Sequence, residues 1–129
     1  MPEIKKLLRL NRKEYYHTHL SILNSVLSTL LPESMTPMEI KVLAEFMSIT
    51  GELAMYRFGP TAKKVVMKEL KLSPAGLSNY MTSLSDKGFI IKTPNLISIF
   101  PLLIPEETEQ LYKIKLLKND EAIATTSID

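Results

Sequence analysis

The polar side chains that could do chemistry lie close together in residues 72–91, LSPAGLSNYMTSLSDKGFII. Ser78, Asn79, Thr82 and Ser83 fall on one side of a helix, and each donates and accepts hydrogen bonds. The other side carries large apolar residues at i, i+3, i+4 and i+7, namely Leu77, Tyr80, Met81 and Leu84. The pattern predicts one face packed into a core and one face presented to water or to a polar partner such as a DNA groove.

Catalysis and metal binding find little support in the sequence. His17 and His19 are two residues apart and therefore lie on different faces of a helix. The chain has no cysteine, and Glu106, Glu107 and Glu109 are typical of a solvated acidic loop rather than a cation site. No glycine-rich phosphate loop and no nucleophile–base set is present either. The sequence therefore predicts a protein that is not an enzyme, with no catalytic residue, no cofactor and no metal.

Helix-end signals define the element that carries the polar face. Ser73 can cap a helix, Pro74 suits its first turn, and Gly88 suits a left-handed stop. Residues 89–92 and 96–100 are apolar and rich in β-branched side chains, so they predict the two strands of a hairpin. We expect a helix over residues 73–87 that leads directly into this hairpin.

A long apolar stripe marks the first predicted helix. Asn11 and Glu14 form a capping pair, and the helix is expected to run to about Leu31. Its stripe, spaced by three and four residues, consists of Tyr16, Leu20, Leu23, Leu27 and Leu30. A stripe this wide packs on two neighbouring elements or on a second copy of the chain. We expect self-association, with these five residues at the oligomer interface.

Two further helices and a third strand are predicted. Residues 36–39 form a capping box with proline in the first turn, which starts the second helix. Thr61 is expected to cap a short helix over residues 62–70. Residues 111–116 alternate like a third strand. The elements together predict a mainly α fold with a small β-hairpin or sheet and an extra N-terminal helix.

Length and composition limit the class of protein. The 129 residues suffice for one domain with a real core, and a net charge of +2 does not by itself indicate nucleic-acid binding. We divide the chain into a basic arm (1–10), one domain (11–117) and a flexible tail (118–129). The apolar runs are shorter than a membrane span, and the N-terminus lacks the apolar core of a signal peptide. We expect a soluble protein without membrane contacts, located in the cytoplasm or in a virion.

The succession of helix, short helix, tight turn, helix and hairpin resembles a winged helix-turn-helix. Residues 72–90 resemble the matching stretch of MarR-like regulators, with Leu-Ser, an apolar residue at Leu77, a polar pair, Leu84, and then Lys-Gly-Phe-Ile. The resemblance covers about residues 36–100. In that family the second helix of the motif enters the major groove of DNA, and the hairpin touches the backbone or the minor groove.

The resemblance implies which residues would meet DNA. The groove-facing set is Ala75, Ser78, Asn79, Thr82 and Ser83. Ser73 and Lys87 lie at the helix ends, where they would reach phosphate. The flanking lysines are Lys63, Lys64, Lys68 and Lys92. The function implied is that of a DNA-binding transcriptional regulator, whose lysines neutralise phosphates of double-stranded DNA.

Two features favour a different class of function. The expected reading face has no arginine and no lysine before Lys87, although arginine to guanine is the commonest specific contact. The hairpin sequence NLISIF is apolar, which suits burial against protein. The alternative is a structural subunit of a larger assembly, and the chain also resembles proteins of bacterial viruses, so that a connector, ring or packaging component would bind other virion or assembly proteins. The basic runs in 1–13 and 61–92 are then solvated faces.

Overall fold

The computed structural model describes residues 3–50, 57–94 and 96–118. Within these ranges the chain forms four α-helices and two β-strands, in the order α1 (Arg12–Ser25), α2 (Pro37–Met47), α3 (Pro60–Leu70), α4 (Pro74–Asp86), β1 (Ile90–Thr93) and β2 (Leu96–Ile99). Single 3₁₀ turns lie at Ser28–Leu30 and Pro101–Leu103. The strands pair antiparallel, with Ile90 opposite Ile99. The predicted fold class, mainly α with a small hairpin, is confirmed.

Three helices begin where the sequence predicts. The Asn11 side chain accepts from the backbone N–H of Glu14 at 2.8 Å, and the Glu14 carboxylate accepts in return. Thr36 and Glu39 form the same reciprocal pair at the start of α2. Ser73 caps α4 through its hydroxyl oxygen, which accepts a backbone N–H at 3.0 Å. These caps satisfy N–H groups that the first turn of a helix leaves without a partner.

The first helix is shorter than predicted. α1 ends at Ser25 instead of near Leu31. The side chain of Asn24 forms two hydrogen bonds with the backbone of Met35, accepting its N–H at 2.6 Å and donating to its carbonyl at 3.0 Å. The chain leaves the helix just after this position and turns back, so that residue 35 meets residue 24.

Two other predictions are wrong, namely the cap of the third helix and the third strand. α3 begins at Pro60 with Gly59 as its N-cap, so Thr61 lies inside the helix and does not cap it. Proline takes the first helical position because its fixed φ fits there and its missing N–H is not needed. Residues 111–116 form no strand, since the described sheet contains only β1 and β2.

The core is built around α2. Val42, Leu43 and Phe46 are fully buried, and α1, α3 and α4 all contact this helix. The apolar stripe predicted for α4 is buried or half-buried in this core, namely Leu77, Tyr80, Met81 and Leu84. With one side of α4 packed in this way, the helix must present its opposite side outwards.

The stripe on α1 belongs mainly to the core of its own chain. Leu20 and Leu23 are 0% and 4% exposed, and Tyr16 and Leu27 are half-buried against the same core. Only Leu30, which lies beyond the end of α1, is largely exposed. The expectation of an oligomer interface is therefore wrong for Leu20 and Leu23, because α2 already covers the face that carries them.

The terminal segments lack regular secondary structure where they are described. Residues 3–11 form neither helix nor strand, and residues 104–118 likewise run without either. Most of the expected tail, residues 119–129, lies outside the described residues. None of the helices found in the described ranges combines the length and the apolar character needed to cross a bilayer.

Candidate nucleic-acid interface

The outer side of α4 presents a continuous uncharged face. Ala75, Ser78, Asn79 and Thr82 are all exposed, and their spacing of three and four residues aligns them along the helix. Asp86 continues the same row one turn later and is also exposed. The spacing of four residues between Thr82 and Asp86 is visible in the sequence and would have predicted that Asp86 lies on the same face. The carboxylate ends the face with a negative charge, which would repel a phosphate backbone at that end.

A groove beside this face gathers four of the predicted residues from three elements. It has a volume of about 290 Å³ and lies between α3, α4 and the hairpin. Lys63 of α3, Ser78 and Thr82 of α4 and Lys92 of β1 contribute its polar lining. Its apolar lining consists of Met67, Pro74, Leu77, Met81 and Ile97. Two lysines from different elements therefore flank the same hydroxyl-bearing surface.

The remaining predicted contacts are placed less centrally. Lys64 and Lys68 are exposed on α3, one helical turn apart, and neither lines the groove. Ser73 is exposed at the start of α4, but its hydroxyl oxygen already accepts a backbone N–H of its own helix. None of these three residues belongs to the exposed row of Ala75, Ser78, Asn79 and Thr82.

Ser83 and Lys87 belong to an internal network rather than to the outer face. Both contact Glu39, a carboxylate of α2 whose side chain is 2% exposed. Ser83 Oγ donates to Glu39 Oε2 at 2.5 Å, and Lys87 Nζ donates to Glu39 Oε1 at 2.7 Å. The expectation that these two residues contact DNA is not supported by their positions, because their polar atoms already bind the buried carboxylate.

Glu39 is a structural residue that the sequence did not reveal in this role. Burial would raise the pKa of Glu39, but hydrogen bonds from Lys87, Ser83 and Thr36 outweigh burial and hold the pKa below its usual value. The Thr36 backbone N–H donates to the same carboxylate at 2.8 Å. A side chain that starts α2 thus also anchors the last turn of α4, and so fixes the orientation of the outer face.

No family model matches this sequence, and neither the curated proteins nor the solved structures give a significant match.

Two basic residues at the start of α1 contact α2 and the residue that follows it. Arg12 Nε donates to the Ser48 carbonyl at 2.9 Å, and its guanidinium lies 5.0 Å from the centre of the Tyr16 ring. Lys13 Nζ pairs with the Glu45 carboxylate at 2.8 Å. These contacts hold the start of α1 against the end of α2. The N-terminal residues 3–9, by contrast, are exposed throughout.

The two histidines lie in different environments. His19 is buried and its Nδ1 contacts the hydroxyl of Tyr112, whereas His17 is half-buried. Burial raises the pKa of Tyr112 to about 12, so its hydroxyl stays protonated and can donate to Nδ1. His19 Nε2 meets no acceptor at hydrogen-bond geometry in the described part of the chain. Among the described residues, no group of three or more His, Cys, Asp or Glu side chains is arranged to hold a metal.

The burial of His19 predicts a loss of stability in mild acid. Burial lowers the pKa of His19 from 6.5, and the backbone of Leu103 offsets only part of that change. Below pH 6.5 the unfolded chain binds a proton that the folded chain does not, so stability should fall as the pH decreases towards the lower folded pKa. Urea unfolding at pH 7.5 and 5.5 measures this loss. In His19→Phe the loss should be smaller; an equal loss in both proteins would contradict the prediction.

Proposed function

We propose that this chain binds double-stranded DNA by inserting the outer face of α4 into the major groove, as a winged helix-turn-helix regulator of transcription. One observation carries the proposal: the exposed hydrogen-bonding side chains of Ser78 and Thr82 line the same groove as Lys63 and Lys92. Side chains that can meet base edges are thus flanked by charges that can meet phosphates. This pairing of direct readout with backbone contact is what specific recognition of a duplex requires.

The side chains of the outer face would contact different groups on the bases. Asn79 can make a bidentate contact with adenine, and the hydroxyls of Ser78 and Thr82 can bond to several bases. Ala75 offers a small apolar contact for a thymine methyl group. The network centred on Glu39 does not read bases in this proposal, because it serves to hold α4 at a fixed angle.

The proposal predicts separate effects for the base-reading and the phosphate-binding residues. Asn79→Ala should cost about 1–3 kcal/mol on a selected site and relax its sequence preference. Lys63→Gln and Lys92→Gln should each weaken binding to any duplex and reduce the salt slope by about 1. Site selection followed by fluorescence titration at several salt concentrations measures both effects.

A matched control keeps this experiment specific. Lys41→Gln changes an exposed lysine on α2, away from the α4 groove, and should leave the affinity and the salt slope nearly unchanged. The proposal fails if the unmodified chain does not bind duplex DNA at low salt. It also fails if Lys41→Gln reduces affinity as much as Lys63→Gln and Lys92→Gln do.

A second candidate, a structural subunit of a larger assembly such as a virion connector, ring or packaging component, rests on exposed apolar residues. Ile91 and Leu96 lie on the outer face of the hairpin and are 39% and 63% exposed. Side chains of this kind gain little from DNA and more from burial against protein. Size-exclusion chromatography with light scattering separates the candidates. For a regulator, the elution volume and the molar mass change when duplex DNA is added. An assembly subunit instead forms large particles whose molar mass does not change with DNA. The regulator would act in the cytoplasm and the subunit in a virion.

A further inference from the structure

The chain after the hairpin lies along α1 and is held there by a few contacts. Leu103 is fully buried, and the hydroxyl of Tyr15 donates to the Glu106 carbonyl at 2.8 Å. The Tyr112 hydroxyl reaches His19 farther along the same helix. Within the segment 109–117, Tyr112 makes this contact with α1, and every other side chain except that of Gln110 is exposed.

The outward side of this segment is unpartnered. Gln110 and Tyr112 are half-buried, whereas Glu109, Leu111 and Lys113 are exposed, which is the alternation of an extended strand. Leu111 is 84% exposed. In the described part of the chain, the backbone of residues 111–117 makes no hydrogen bond to other backbone groups. The Leu111 carbonyl accepts a hydrogen bond from the Gln110 side-chain amide at 3.1 Å. The segment therefore presents strand-like side chains and a backbone without ladder hydrogen bonds, which can pair with another strand.

The order of side chains on this outward side is self-complementary. Reading along it, an acid at Glu109 is followed by the apolar Leu111 and then by a base at Lys113. If two copies pair antiparallel with Leu111 opposite Leu111, each Glu109 faces the Lys113 of the other copy. Glu107 and Lys115 extend the same symmetry outwards. A parallel arrangement in the same register would instead place like charges together, which is destabilising.

We propose that residues 109–113 pair antiparallel with the same residues of a second copy of this chain, about a two-fold axis at Leu111. This charge order favours a second copy of the chain as the partner. In the antiparallel pair, the acid and the base of each segment both face a charge of opposite sign. A two-fold contact of this kind is isologous and closes at a dimer. The proposal is independent of DNA binding, since none of these residues belongs to the α4 surface.

Cysteine cross-linking tests the two-fold axis directly, because the natural chain has no cysteine. In an antiparallel pair, opposite Cα atoms are about 4.5–5.5 Å apart, which suits a disulfide. Full-length Leu111→Cys should therefore form a covalent dimer in a mild oxidant. Leu116→Cys, which is 91% exposed but off the axis, is the matched control and should cross-link at least about tenfold more slowly. Equal rates for the two variants would overturn the proposal.

Charge reversal tests the register by an independent route. Glu109→Lys and Lys113→Glu should each raise the dimer dissociation constant by about tenfold, because each places like charges across both symmetric contacts. The double variant restores opposite charges and should return to within about twofold of the natural chain. Sedimentation equilibrium at low salt measures these values. A monomer at all concentrations, or a double variant as weak as the single variants, would overturn the proposal.

Discussion

Replacing Lys87 with methionine should lower the free energy of unfolding by about 3 kcal/mol, because it leaves a buried carboxylate without its counter-charge. Glu39 is almost fully enclosed, and Lys87 Nζ at 2.7 Å is the cation that neutralises it. The value lies at the low end of the range for such losses because Thr36 and Ser83 still donate hydrogen bonds to Glu39. Urea unfolding at pH 7 measures the change.

A double variant shows whether the charge itself is responsible. Adding Glu39→Gln to Lys87→Met removes the unpaired charge while keeping the shape of the side chain, so the double variant should be more stable than Lys87→Met alone. Lys64→Met changes an exposed lysine and should stay within about 0.5 kcal/mol of the natural chain. If Lys87→Met costs no more than Lys64→Met, the network does not anchor α4.

Replacing Arg57 with methionine should cost about 2–4 kcal/mol, because Arg57 caps the C-terminal end of α2. Its Nη1 donates to the carbonyls of Phe46, Met47 and Ile49 at 2.6, 2.9 and 3.2 Å. A cation at this position also meets the negative end of the helix dipole. Burial lowers the pKa of Arg57, but arginine starts so high that it stays charged at neutral pH.

The loss of Arg57 should also disturb the start of α3. The next residue, Phe58, is buried, and its ring centre lies 4.9 Å from that of Phe46. Thermal and urea unfolding of Arg57→Met measure the cost, and Arg57→Lys should recover only part of it because a lysine lacks the planar guanidinium. Arg9→Met, at an exposed N-terminal position, is the control and should be nearly neutral. Equal stabilities for Arg57→Met and Arg9→Met would show that the cap is unimportant.

Features that depend on neighbours within one helical turn could be predicted from the sequence. The capping residues Asn11, Thr36 and Ser73 bind backbone groups three residues away, so their spacing is visible in the sequence. The two sides of α4 follow from the same short-range periodicity. This periodicity also correctly predicts the exposure of Ser78, Asn79 and Thr82, whereas Ser83, which it places on the same side, is half-buried.

Spacing alone misplaced residues whose partners are distant in the chain. Ser83 has the type and position of a groove-facing residue and Lys87 those of a phosphate contact at a helix end, but Glu39 lies 44 and 48 residues away and binds both. Likewise, an apolar stripe such as that on α1 has the same pattern whether it packs on its own core or on another copy. Periodicity records that a face is buried and carries no information about what buries it.

The sequence by itself determined the starts of α1, α2 and α4, the hairpin and the polar outer face of α4, because these depend on local propensity and capping. Only the tertiary structure decided which polar residues remain available on that face. It assigned Ser83 and Lys87 to Glu39, Leu20 and Leu23 to the core, and Tyr112 to His19, across 93 residues of chain. Contacts of this range arise when packing brings distant elements together, so no local pattern encodes them.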